Sequence, residues 1–512
     1  MANFLSAQRH NHAYEAVPVA EDGEDQSRKL IKDESKKRWL KKAVVWPVAL
    51  SIGFALKLLF LIFDLPNAWT RSCDDLQHGY KCRPEISRFW GQYSPYFSVP
   101  SEISPNRPAG CQVTFAQILS RHGARDPTAG KTQQYNATIY KLKSNVDDFS
   151  GAYAFLRDYE YTLGADQLTA FGEAQLVNSG KKFYKRYRHL TKRSPIFVRA
   201  SGQKRVVKSA KRFNQGYHGA YLDDESAEVP DNYPYPILVL SEAHGSSNPL
   251  SNDLCDKFQD PGPGGHIGSR AMRTWAKVFA TPITSRLNND LPGANFSLAD
   301  TINLIELCPY ETVASPTGKI SPFCALFTEK EWHQYDYYES LGKYYGWGNG
   351  NPLGPTQGVG FVNELIARMT NRPVRDHTSV NHTLDDSLET FPIGAGRVLF
   401  ADFSHDNDMT GIYSALGLYN STSPLPMTSI QTADDSNGYS AAWTVPFGAR
   451  AYFEKLDCEG EDEELVRVLV NDRVIPLDIC KGDSLGRCKL SAFIRSLSFA
   501  AGGGNWDQCF AS

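Results

Sequence analysis

The chain lacks an excess of either charge: 54 Lys and Arg stand against 57 Asp and Glu in 512 residues, a net charge of −3. Without a basic surplus nothing draws it onto nucleic-acid phosphates, so no nucleic-acid partner is expected. It has no C-x-x-C pair of the kind that builds a zinc site, and no metal or cofactor is expected. The body shows neither an internal repeat nor a low-complexity segment, which excludes a repeat array. What is present has the proportions of an ordered globular protein, 41% hydrophobic, 22% charged and 12% aromatic. The length is large for one compact core and suits a single large α/β enzyme or two lobes.

Long apolar runs are scarce, and the one that stands out is A-V-V-W-P-V-A-L-S-I-G-F-A-L-K-L-L-F-L-I-F at 43–63, near the length of about 20 residues that spans a bilayer core. The five cations of K-K-R-W-L-K-K precede it, and Asp64, Asp74 and Asp75 follow. The positive-inside bias then predicts a signal anchor with its N-terminus in the cytoplasm, a single-pass type II membrane protein whose body is extracellular or lumenal. A secreted chain with a cleaved leader is the alternative, but the leader exceeds forty residues and lacks a short basic start. Residues 1–42 have no periodic apolar face and read as a disordered cytoplasmic tail. The folded domain is expected over 70–512.

All ten cysteines lie beyond the apolar run, an even number on one side of it, and read as disulfides. Four sequons, at Asn136, Asn295, Asn381 and Asn420, fall in the same region, as expected of a glycosylated body.

Three short apolar runs each end in charged residues: V-T-F-A-Q-I-L-S at 113–120 before R-H-G-A-R, I-F-V-R-A-S-G at 196–202, and R-V-L-F-A-D-F-S-H-D at 397–406. They predict buried strands emptying into polar loops at one sheet edge, where open α/β sheets bind ligands. A helix is expected from Leu168 with Thr169 as N-cap, another after Ser201, and a helical lobe over about 256–390 that includes G-F-V-N-E-L-I-A-R-M.

Arg121-His122-Gly123-Ala124-Arg125 offers an imidazole that can attack phosphorus and guanidiniums that hold phosphoryl oxygens bidentately. The same cations disfavour imidazolium and keep the nucleophile unprotonated in acid. Ser404-His405-Asp406-Asn407 adds a carboxyl group to protonate a leaving alkoxide and a second histidine to hold an equatorial oxygen. Either motif alone is as easily a solvated polar cluster. Together, with Arg199 at the third strand end, they supply nucleophile, clamp and acid.

At these residues the chain resembles the fungal phytases of the histidine acid phosphatase family, from about Cys73 to Ser512. The signature resembles R-H-G-A-R-x-P at 121–127 and S-H-D-N at 404–407. Longer runs match too: Y-T-L-G-A-D at 161–166, N-P-L-G-P-T-Q-G at 351–358, N-E-L-I-A-R at 363–368 and L-V-N-D-R-V-I-P-L at 469–477. The resemblance implies a histidine-phosphatase-type sheet domain with an adjoining α-helical lobe. It implies hydrolysis of phosphate monoesters, foremost myo-inositol hexakisphosphate (phytate), with His122 as nucleophile and Asp406 as general acid. Arg121, Arg125, Arg199 and His405 would bind the phosphoryl group, and Lys131 and Lys319 the distal phosphates. It implies disulfides Cys73–Cys82, Cys111–Cys458, Cys255–Cys509, Cys308–Cys324 and Cys480–Cys488; a monomer is expected, though the sequence does not give the oligomeric state. One departure is Asp126, where phytases of this group commonly carry Tyr; an ionised carboxylate there would penalise a substrate with many phosphates. The rivals are a broad-specificity acid phosphatase and a catalytically silent phosphate-binding protein, which would need the cations but neither nucleophile nor acid.

Overall fold

From Phe115 to Arg121 every side chain of the strand Cys111–Arg121 (β1) is buried, which requires cover on both faces of the sheet. In the computed structural model, which describes residues 74–510 apart from 193, 228–232, 260–265 and 395, β1 lies in the middle of an eight-stranded sheet. Phe197–Ser201 (β2), Ile237–Leu240 (β3), Leu399–Ser404 (β4), Arg450–Cys458 (β5), Leu465–Val470 (β6) and Arg487–Lys489 (β7) complete the order β7-β6-β5-β1-β4-β2-β3, and the short strand Arg473–Val474 pairs with β6. Strands β1, β4, β2 and β3 run parallel, whereas β5, β6 and β7 join antiparallel on the other side of β1. The three strands expected to bear chemistry thus end on one edge.

Alternation along these strands divides the core between the two faces. Ala116, Ile118, Val198, Ala200, Ala401 and Phe403 pack under the helices Ala170–Thr191 and Lys204–Leu222. Phe115, Leu119, Phe400 and Phe453 face the opposite core with Phe361, Val362 and Leu365. With Ala129–Asn145 as α1, these helices are α2 and α3. The expected cap of α2 is formed: Thr169 Oγ1 accepts from the Gly172 N–H at 3.1 Å.

Among the described residues between β3 and β4 the chain adds no strand to the sheet and folds instead into Ile267–Asp290 (α4), Leu298–Ala314 (α5), Glu329–Trp347 (α6) and Val359–Thr370 (α7), the expected helical portion. Capping boxes start α5 (Ser297 with Asp300) and α6 (Thr328 with Glu331). Asp406–Ala415 (α8) leaves directly from the end of β4.

Disulfides join Cys111 to Cys458, Cys255 to Cys509, Cys308 to Cys324 and Cys480 to Cys488, as the resemblance implied. Cys82 is disulfide-bonded too, and its expected partner Cys73 lies outside the described residues. The expectation of a type II membrane protein does not stand: among the described residues no helix is long and apolar enough to cross a membrane. The apolar run at 43–63 and the tail at 1–42, on which it rested, lie outside the described residues. Of the sequon asparagines, Asn136, Asn295 and Asn420 are exposed and Asn381 is half-buried.

Candidate active site

The register between β1 and β4 sets Arg121 opposite Ser404, so the two motifs meet where the parallel strands end. The loop after β1 is fixed from every side. The His122 N–H donates to Ser404 O at 3.1 Å, His122 O accepts from the Gly448 N–H at 3.0 Å, the Gly123 N–H donates to Ser209 Oγ at 3.1 Å and the Ala124 N–H to Gln175 Oε1 at 2.9 Å. Gly123 allows this closeness: a Cβ there would collide with the backbone of Gly172 at the start of α2.

His122 is buried, and its Nδ1 lies 2.8 Å from Gly123 O. A carbonyl oxygen only accepts, so Nδ1 carries the proton and Nε2 keeps its lone pair. Burial first, then the charges of Arg121, Arg205, His405 and Arg125, hold the imidazole well below its usual pKa. The ring therefore stays neutral in acid.

Three guanidiniums surround it with N–H groups to spare. Arg121 is fully buried; its Nη1 donates to Gln92 O and, at 2.8 Å, to Val445 O, while Nε and Nη2 have no hydrogen-bond acceptor. Phe447 lies under its guanidinium at 4.5 Å. Nη1 of Arg125 donates to Asp126 O at 2.7 Å and its Nε is buried without an acceptor. Arg205, in the first turn of α3, pairs with Asp166 at 3.1 Å and likewise has a buried free Nε. Burial and Arg125 bring Arg205 down to about 10, still cationic wherever a carboxylic acid is protonated. Unpaired buried donors cost free energy unless something fills them, and a phosphoryl group presents the oxygens they need.

Asp406 opens α8. Its Oδ1 is 3.4 Å from Arg121 Nη2, and its Oδ2 pairs with Lys343, which also donates to Asn407 Oδ1 at 2.6 Å. Burial pushes the carboxyl up, but Arg121 and Lys343 outweigh it and hold the group well below the ordinary range. His405 caps the same helix and contacts Glu242 at 3.0 Å, and its ring centroid is 5.5 Å from that of His122.

Residues 112–471 match the histidine phosphatase superfamily, branch 2. The chain is a branch 2 histidine phosphatase. It is 51% identical to Phytase A of Aspergillus oryzae over 86% of this chain and 94% of that one, and 49% identical to Phytase A of Emericella nidulans over 90% and 98%. The crystal structure of the phytase from D. castellii superposes with a TM-score of 0.69 at 25% identity, covering 88% of this chain and 93% of that chain. The multiple inositol polyphosphate phosphatase of Bifidobacterium longum shares the fold, with a TM-score of 0.56 at 15% identity over 80% and 97%.

Not every expected residue of this histidine phosphatase reaches the pocket. Arg199 stands on the opposite face of β2 from Val198 and Ala200, beside Asp402 of β4. There its Nε donates to Asp402 at 2.8 Å and its Nη1 to Glu364 of α7 at 3.0 Å, while Arg368 also pairs with Asp402 at 2.6 Å. Arg199 is thus occupied by a buried ionic network under the sheet, and Arg205 is the third guanidinium near His122. Lys131 lies in a cavity of about 380 Å³ beside Asn407 and Lys343, where it pairs with Glu306 at 2.7 Å. Lys319 is exposed in the loop after α5 and does not line that cavity. Asp126 is half-buried and turned toward Gly164; burial raises its pKa against the Gly164 N–H and Arg125.

Sequence reasoning missed Arg205, Lys343 and Glu242. Lys343 had a signal: it falls four and eight residues after Glu339 and Tyr335, on the buried stripe of α6. Arg205 follows Ser201 by four residues, in the turn that leads off the strand end. Glu242, just past β3, carries no local signal.

Proposed function

We propose that the protein is a phytase, hydrolysing phosphate monoesters of inositol by double displacement on His122. The observation that carries this is the neutral imidazole with Nε2 free, set among three guanidiniums that retain unused donors. Nε2 forms a bond to phosphorus as the ester P–O bond breaks, and the departing oxygen takes a proton from Asp406. Water then attacks the phosphohistidine, Asp406 accepts its proton, and the P–N bond breaks to release phosphate and restore neutral His122. Arg121, Arg125 and Arg205, with His405, hold the equatorial oxygens as charge shifts toward them.

Arg121 and Lys343 favour the ionised form of Asp406 in the free enzyme, so the carboxyl takes up its proton most readily once substrate is bound. A phosphate bound among the arginines offsets the cations that depress the carboxyl, and a monoanionic phosphate brings an acidic proton of its own. The cavity beside the site, lined by Lys131 and Lys343 together with Glu306 and Glu339, leaves room for a substrate larger than a simple monoester. Purified protein should release phosphate from phytate with a higher kcat/KM than from a simple aryl phosphate. The reverse preference would favour a broad acid phosphatase, and no release from either would leave only a binding protein.

A further inference from the structure

At the far edge of the sheet, where the end of α2 meets the start of β1, lies a groove of about 580 Å³. Its lining on α2 runs from Lys182 to His189, ten to seventeen residues beyond Gly172, which packs on the loop of His122, so at 1.5 Å per helical residue it begins about 15 Å along the helix from that loop. Six of its nine lining residues are basic: Arg107 before β1, and Lys182, Lys185, Arg186, Arg188 and His189 on α2. Positions 182, 185 and 186 follow the three- and four-residue spacing of one helix face, and Arg188 and His189 follow the kink at Tyr187.

The acids nearby offset only part of this charge, holding Arg186 and Lys182. Glu454, the one acid in the lining, is fully buried and shared between Arg186 at 2.8 Å and Arg467 at 2.7 Å. Asp472 pairs with Lys182, and Asp224 senses Arg188 without an ion pair. Arg107 and Lys185 are exposed and have no ion pair with an acid among the described residues. The walls are fixed in place: Arg186 Nη2 donates to Pro105 O at 2.8 Å, Arg467 Nη1 to Asn106 O at 2.8 Å and His189 Nε2 to Val113 O at 2.9 Å. Like charges at this spacing work against the helix that bears them, a cost that an anion seated among them removes.

We propose that this groove is a second, non-catalytic site for a small, multiply phosphorylated anion. Its volume is that of a small-molecule site, and Arg107, Lys185 and Arg188 line it without an ion pair to an acid among the described residues, more than one cation for an anion seated there. The choice of an inositol polyphosphate as occupant rests on the function proposed above; the anionic chemistry does not.

Titration calorimetry on the full chain with myo-inositol hexasulfate, which has no phosphate ester to cleave, tests this. Wild type should bind two equivalents, and the double variant Arg107→Glu/Lys185→Glu should lose one of them or bind it about tenfold or more weakly. Both residues are exposed, and kcat/KM for phosphate release should be unchanged in the variant. One equivalent in the wild type, two undiminished equivalents in the variant, or binding only to a long sulfated polysaccharide would each overturn the proposal. Absence of phosphate release from phytate by the wild type would instead undo the catalytic reading and leave the count of sites standing.

Discussion

Asp406 has two cationic neighbours, and they settle its charge before substrate arrives. Burial raises its pKa, while Arg121 and Lys343 lower it by more. Replacing Lys343 with Gln removes one of the lowering charges, so the carboxyl should hold its proton to higher pH. The alkaline limb of kcat should move up by about one pH unit in Lys343→Gln. An unmoved limb with a raised KM would assign Lys343 to substrate binding alone. Asp126 runs the other way, its pKa raised by burial against the Gly164 N–H and Arg125. A carboxyl whose folded pKa exceeds its unfolded value disfavours the folded state once pH passes the unfolded value, about 4. Asp126→Asn should therefore raise Tm at neutral pH and leave it unchanged near pH 3, as a pair of thermal melts would show; an equal gain at both would exclude the titration as its cause.

Elements aim side chains, and Arg199 shows how. The apolar run 196–202 identified β2 and its chemistry-bearing end, but alternation along the strand turns Arg199 away from the pocket and against Asp402 and Glu364. A strand end is readable from an apolar run bounded by polar residues, whereas its face depends on register with β4, which only the fold sets. Arg205 reaches the site because α3 begins just past the strand end. Arg199→Met leaves two buried carboxylates short of a partner and should cost about 3–5 kcal/mol of stability in denaturant unfolding. In variant that remains folded, KM should stay at the wild-type value. A large rise in KM with little loss of stability would return Arg199 to the phosphate site.

On the scale of the molecule, the sheet brings together nucleophile and clamp, and the helical portion between β3 and β4 supplies Lys343 from α6. His122, Arg121, Arg125 and Asp406 were legible because each lies in one of two short motifs at strand ends, where local sequence and tertiary position coincide. Lys343 reaches Asp406 across 63 positions of chain, and Glu242 reaches His405 across 163, so neither pairing leaves a local trace. The same limit applies to Lys319, which a sequence match carried toward the substrate and the fold leaves exposed after α5. The central claim is that phosphate passes through His122, and rapid mixing with phytate labelled in its phosphates, a denaturing quench and alkaline work-up measure it directly. Wild type should yield labelled phosphohistidine at His122 within the first turnover, and His122→Ala neither label nor turnover; full turnover in His122→Ala, or label on any other residue, would contradict the account.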